Sequence, residues 1–150
     1  MGDAHGMGVG QRTTLTPNEQ YSYMSLWSLM AAPLIFSGDM AKLDAFTLNV
    51  LCNAEVIAAN QDPLGQQAKI LRQTRDEFVL VKELEDGSKA VGLFNLSARP
   101  RKLAVAWNEL GLSGNQRVRD LWRQQELGSS GKGFEIEVPR HGVSLITLRK

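Results

Sequence analysis

The chain has 150 residues, with 17 Lys and Arg against 16 Asp and Glu and a formal net charge of +1, so no charge excess draws it to nucleic acid or a membrane surface, and both are disfavoured as partners. Its length fits one complete domain plus part of another better than two complete ones. No apolar run approaches the roughly 18 residues of a bilayer span, the first residues lack the basic and apolar regions of a secretion signal, and the lone Cys52 excludes an intrachain disulfide or a cysteine metal cluster and reads as a buried thiol in an apolar helix.

Met1 to Leu15 is Gly-rich and without a sustained period, which predicts an irregular segment over residues 1–15. A helix follows: Thr16 suits the N-cap, Pro17 the first helical position, and Glu19 completes a capping box. Tyr23, Leu26, Trp27 and Met30 recur at i, i+3, i+4 and i+7 and predict an apolar stripe that some other element must cover. Pro33 stops the helix, and Leu34, Ile35 and Phe36 form a short apolar run expected to be a strand buried on both faces. Two further helices are expected, one capped by Asp44 and running to about Cys52, the other capped by Asn53 and running through Ala59. Helix, strand and helix again is the alternation of an α/β fold with parallel strands. One such strand cannot make a sheet, so residues 16–65 are expected to find their strand partners outside this sequence.

The run Asn60-Gln-Asp-Pro-Leu-Gly65 marks a change of period. Beyond it Phe78 to Val81 and Ala90 to Phe94 flank Asp86-Gly87, a strong hairpin signal. Leu103, Val105 and Trp107 alternate with other residues, and Phe134, Ile136 and Val138 alternate with Glu135 and Glu137. Val118 to Trp122 and Val143 to Leu148 supply two more strands, with turns at residues 113–115 and 128–133. Residues 66–150 are therefore expected to fold as an antiparallel two-sheet sandwich.

Chemistry-bearing residues are sparse. His5 and His141 stand apart, neither with a second ligand at metal spacing, so no metal site is assigned and His141 reads as a turn residue. Ser37 lacks the Gly-x-Ser-x-Gly setting, and no Gly-rich loop has the spacing of a phosphate cradle, so no cofactor is called for. Asp39 is the acid that merits weight as a substrate-binding residue: it follows an apolar strand, and the carboxyl ends of parallel strands are where α/β folds and barrels hold ligands. The competing role for Asp39 is a helix or turn cap. Asp62, before Pro63, is expected to order the seam. Trp107 and Trp122 fit either a core or a sugar-stacking platform.

The residues Leu15 to Gly65 resemble the end of the catalytic barrel of the α-galactosidase (melibiase) group, glycoside hydrolase family 27. The resemblance is carried by Ser25-Leu-Trp27, Ala32-Pro-Leu34, Asp39, the helix Leu43 to Leu48, and Glu55-Val-Ile-Ala-Ala-Asn-Gln-Asp-Pro-Leu-Gly65. Asp86 to Asn95 and Arg117 to Trp122 resemble the same family's C-terminal sandwich.

That resemblance implies a retaining glycoside hydrolase acting on α-galactosides, built as a (β/α)₈ (TIM) barrel followed by a β-sandwich. It also implies that this sequence holds the last helix-strand-helix units of the barrel and the whole sandwich, an α/β fragment followed by antiparallel β. The family's nucleophile and acid/base aspartates lie on strands upstream of anything matched here, so no catalytic residue is assigned. Its Trp-Asn-Asp-Pro-Asp motif has no counterpart either, since only Asp3 can be forced onto it. The chain is thus expected to be inactive alone, to need missing barrel strands or a partner chain over its N-terminal third, and to self-associate through its uncovered apolar surface. Family members are often secreted or lysosomal. The alternative reading is a carbohydrate-binding or structural sandwich whose helical N-terminus docks on a partner.

Overall fold

A computed structural model describes residues 13–36 and 38–150; the expectations for residues 1–12, His5 among them, and for Ser37 lie outside the described residues. Helix α1 spans Pro17–Leu29, and its start is the predicted capping box: the Thr16 hydroxyl accepts from the Glu19 amide while the Thr16 amide donates back to the Glu19 carboxylate. A 3-10 turn at Met40–Lys42, helix α2 at Ala45–Leu51 and helix α3 at Ala54–Asn60 follow, capped by Asp39, Asp44 and Asn53. Each cap is a short polar side chain accepting from the first-turn amides, which have no partner inside the helix.

Eight strands follow: β1 (Lys69–Gln73), β2 (Glu77–Glu83), β3 (Lys89–Asn95), β4 (Arg101–Ala106), β5 (Gln116–Asp120), β6 (Gln125–Ser130), β7 (Gly133–Val138) and β8 (Val143–Arg149). They form a six-stranded sheet in the order β1-β2-β3-β8-β5-β6 and a two-stranded sheet β4-β7, with antiparallel pairing throughout. The predicted Asp86-Gly87 hairpin joins β2 to β3, with Gly87 at φ 78°, a left-handed conformation that suits glycine.

The large sheet is covered on both faces, and strand alternation decides which residue meets which layer. Val79, Val91, Leu93, Ile146 and Leu148 point toward the small sheet and pack with Leu103, Val105, Trp107 and Val138. Leu80, Ala90, Phe94 and Leu145 point the opposite way and pack with Met24, Leu29, Val50 and Val56 of the helices. The sandwich predicted for residues 66–150 is present, and the helices add a third layer that shares its core. Close approach of α1 to β3 depends on Gly92, where a Cβ would come within 2.5 Å of Leu29 Cδ1.

Three expectations for residues 16–65 need correction, and the turn expected at residues 128–133 is shorter because β6 runs to Ser130. The sheet-facing side of α1 carries Gln20, Met24, Ser25, Ser28 and Leu29, whereas Tyr23 and Met30 of the predicted stripe are 37% and 47% exposed. The helix is apolar on more than one side: Leu26 of the predicted stripe packs against the shared core and Trp27 is half-buried, while Tyr23 and Met30 at its ends stay exposed. Leu34–Phe36 forms no strand among the described residues, and Ile35 is 85% exposed, so it is not a strand buried on both faces. A parallel strand requires neighbours that are not supplied within the described residues. Cys52 is exposed rather than buried: α2 turns Thr47 and Val50 inward, and two residues past Val50 is about 200° around the helix.

Candidate functional site

The helical layer meets the sandwich along a seam built from polar side chains that satisfy backbone groups. Asn60, from the signature run, donates from Nδ2 to the Ala32 carbonyl at 2.9 Å and reaches the Trp27 carbonyl at 3.4 Å, closing the frayed end of α1. Asp62 accepts from the Leu64 amide and, with both carboxylate oxygens, from the Glu85 amide at 3.1 Å, tying the turn to the β2–β3 hairpin. Its expected role of ordering the seam is what the structure gives it.

Beneath this turn lies Lys82, fully buried on β2. Its Nζ donates to the Ala59 carbonyl at 2.6 Å and to the Asn60 carbonyl at 3.3 Å, placing a cation on the negative end of α3. Burial pushes the Lys82 ammonium below its ordinary range, against the pull of Asp62. Sequence reading passed over Lys82, although its position was the signal: Phe78, Leu80 and Lys82 fall on one strand face, and the first two are core residues.

Further ties hold α1 and α3 to the sandwich. Glu55 on α3 pairs with Arg119 on β5 through two contacts, the Nε one at 2.8 Å, and Glu55 raises the Arg119 guanidinium above its ordinary value. Asn53 donates to the Leu121 carbonyl at 3.1 Å, and the Trp122 indole N–H donates to the Ser25 hydroxyl at 2.8 Å. At the other end of α1, His141 Nδ1 lies 3.1 Å from Glu19 and the Ser22 hydroxyl donates to the His141 carbonyl. His141 occupies a turn at φ 49°, as its flanking Pro139 and Gly142 predict. Hydrogen bonds from the Thr16 hydroxyl and amide, with His141 adding a further one, hold the Glu19 carboxyl down at about 2.

Asp39 stands away from this seam, after the unpaired Leu34–Phe36 segment. Its Oδ1 accepts from the Ala41 amide at 3.0 Å and its Oδ2 lies 3.5 Å from Lys42 Nζ, with both side chains largely exposed. Here it serves as the cap of the 3-10 turn. Trp107 belongs to the core between the sheets, its indole donating to the Ser130 carbonyl at 2.7 Å. Trp122 is half-buried against α1 and meets Tyr21 edge-on at a centroid distance of 4.7 Å. Among the described residues no group of three or more His, Cys, Asp or Glu could hold a metal ion.

Comparison with known proteins matches both layers. Residues 3–62 match the family described as alpha galactosidase A, and residues 76–148 match the alpha galactosidase C-terminal beta sandwich domain. A probable alpha-galactosidase of Dictyostelium discoideum is 36% identical over 140 residues, which is 89% of this chain and 36% of that protein. The crystal structure of a GH27 β-L-arabinopyranosidase from Geobacillus stearothermophilus superposes with a TM-score of 0.89 at 29% identity, covering 97% of this chain and 33% of that one. Alpha-galactosidase I of Mortierella vinacea gives a TM-score of 0.87 at 26% identity over 100% of this chain and 38% of its own. The chain therefore spans about a third of the length of the curated relatives it matches. With a barrel-end profile and a sandwich profile side by side on one continuous fold, the chain belongs to the α-galactosidase (melibiase) family, glycoside hydrolase family 27.

Proposed function

We propose that this chain supplies the C-terminal part of an α-galactosidase-like retaining glycoside hydrolase, with residues 16–65 completing the catalytic barrel and residues 66–150 forming its sandwich. The observation that carries the reading is the pairing of the two family matches on a chain that covers about a third of its relatives. Retaining hydrolysis needs two carboxyl groups about 5 to 5.5 Å apart, one to attack the anomeric carbon and one to protonate the departing oxygen. In the family resemblance both belong to earlier barrel strands, so the chemistry falls to polypeptide that this sequence does not match, and this chain alone is inactive. Its contribution is to close the barrel and to bring Asp39 to the sugar pocket, where a carboxylate that contacts an exposed lysine and the Ala41 amide has acceptor capacity for a substrate hydroxyl.

The partner in this reading is a polypeptide carrying the preceding barrel strands. What supports it is the uncovered side of the helical layer: Tyr23, Met30 and Ile35 are exposed, and Leu34–Phe36 pairs with no strand among the described residues. The same surface favours self-association when no partner is present. It also favours the second reading, a sandwich module that docks on another chain. Co-expression with a polypeptide holding the earlier strands of a family member separates the two. Recovery of a complex that releases nitrophenol from an α-galactoside supports the enzyme, whereas a complex without turnover supports the docking module. Sedimentation of the isolated chain as a monomer across a wide concentration range would count against both uses of that surface.

A further inference from the structure

The helices cover the large sheet unevenly. On α1, Met24 shares the core with Val56 and Ala59 of α3, so α3 takes one flank of α1. Leu26 is two residues past Met24, about 200° around the helix, and together with Met30 it walls an open groove on the opposite flank. The floor of that groove is the sheet: Ile70 of β1 stands opposite Leu80 of β2, on the face that also carries Phe78. Ile70 is 60% exposed and Met30 47%. Gln67 and Lys69 stand exposed at the rim. An apolar floor with a polar border suits an amphipathic segment, whereas a small-molecule site would bring polar groups together at its centre.

Width and chain order name the occupant. Two neighbouring strands at their usual spacing give a floor about 10 Å wide, which is the diameter of an α-helix. In a (β/α)₈ barrel every strand is followed by a helix and the helices form an outer ring, so each helix lies between the one before it and the one after it. Here α3 follows α1 and holds one flank, which leaves the flank at the groove to the helix before α1. The chain spans about a third of the length of its relatives, and the polypeptide proposed to carry the earlier strands carries that helix too. We propose that the groove between α1 and the β1–β2 edge receives the barrel helix that precedes α1, through an apolar stripe laid on Met30, Ile70 and Phe78. The sandwich thereby grips the barrel beyond the part of it that this chain supplies. This assignment rests on the reading of the chain as the C-terminal part of a family 27 hydrolase.

The test uses the full chain and, as probe, the polypeptide of the Dictyostelium discoideum relative that precedes the part matched by this chain. Association is followed by sedimentation, and turnover by release of nitrophenol from an α-galactoside. Ile70→Asn and Met30→Asn should each raise the dissociation constant by about tenfold or more, since each would bury an amide without a partner. Leu127→Asn replaces a 40% exposed leucine on β6, at the far edge of the same sheet, and should leave the constant within about twofold of the parent. Residues 66–73 should gain protection from hydrogen exchange in the complex. A complex that turns over substrate but is indifferent to both groove variants would overturn the groove assignment and leave the glycosidase reading standing. No association with the parent chain would overturn both. Self-association of the chain that the probe fails to displace would give the groove to a second copy and overturn the proposal.

Discussion

Leu29→Ala tests which side of α1 holds it to the sheet. Leu29 has no exposed surface, belongs to the core shared by helices and sheet, and meets β3 at Gly92. Truncating a buried leucine removes the transfer free energy of its methyl groups and leaves a cavity, together about 2–5 kcal/mol. That is a large share of the roughly 5–15 kcal/mol by which a domain is stable. With a urea m-value of about 2 kcal/mol/M, the midpoint should fall by about 1–2.5 M. Met30→Ala, one residue later on the uncovered side, should move it by no more than about 0.25 M, since exposed substitutions stay within about 0.5 kcal/mol. Urea titrations followed by tryptophan fluorescence and by far-ultraviolet dichroism check both. Equal midpoints for the two variants, or a larger loss from Met30→Ala, would refute the packing described for α1.

The other predictions concern the polar seam and the small sheet. Lys82→Met leaves the Ala59 and Asn60 carbonyls without their donor, and part of that loss is offset by relief of a buried charge, so a net destabilisation of about 1–3 kcal/mol is expected in urea unfolding. Because burial lowers the folded-state value of Lys82 below the ordinary lysine value of 10.5, the unfolded chain binds more protons in the window just below 10.5. The lysine's contribution should therefore rise with pH through that window, and Lys82→Met should abolish the rise. Glu19, held at about 2 against an ordinary value of 4.5, contributes stability that is fully present above 4.5 and is lost as pH falls toward 2. Protection of the first-turn amides of α1 against hydrogen exchange, taken relative to the intrinsic rate at each pH, should fall across that range in the parent and not in Glu19→Gln. Gly133→Ala would put a Cβ 2.6 Å from the Val105 carbonyl oxygen and 3.1 Å from Ala106 Cα. Both are backbone atoms that cannot swing aside, so β4 and β7 must part at a cost of about 1–3 kcal/mol, read as a lower melting temperature.

Local signals carried much of this fold. Thr16, Asp44 and Asn53 could be read as caps because capping depends on residues within three positions. The Asp86-Gly87 hairpin and the alternation in β7 were equally local. The missed strands, β1 and β6, are the edges of the large sheet, where one side of the strand has no neighbour and the sequence need not alternate; Gln125–Ser130 is exposed over most of its length. Gly128 at φ 102° reads as a turn residue in the sequence, and in the fold it follows the bulge at Leu127 of β6, which Val118 and Arg119 of β5 pair around. The orientation of α1 was out of reach for a different reason: Tyr23, Leu26, Trp27 and Met30 form a valid apolar stripe, and only the tertiary arrangement decides that Met24 and Leu29 face the sheet instead. Lys82 acts through contacts with residues far along the chain, and no spacing rule joins them.

The central claim is that the hydrolytic carboxylates belong to polypeptide beyond what this sequence matches. Turnover of nitrophenyl α-galactoside by the purified 150-residue chain tests it most directly. The account predicts no release of nitrophenol above the uncatalysed rate from the chain alone. Turnover at the level of a complete family member, from this chain with nothing added, would contradict it.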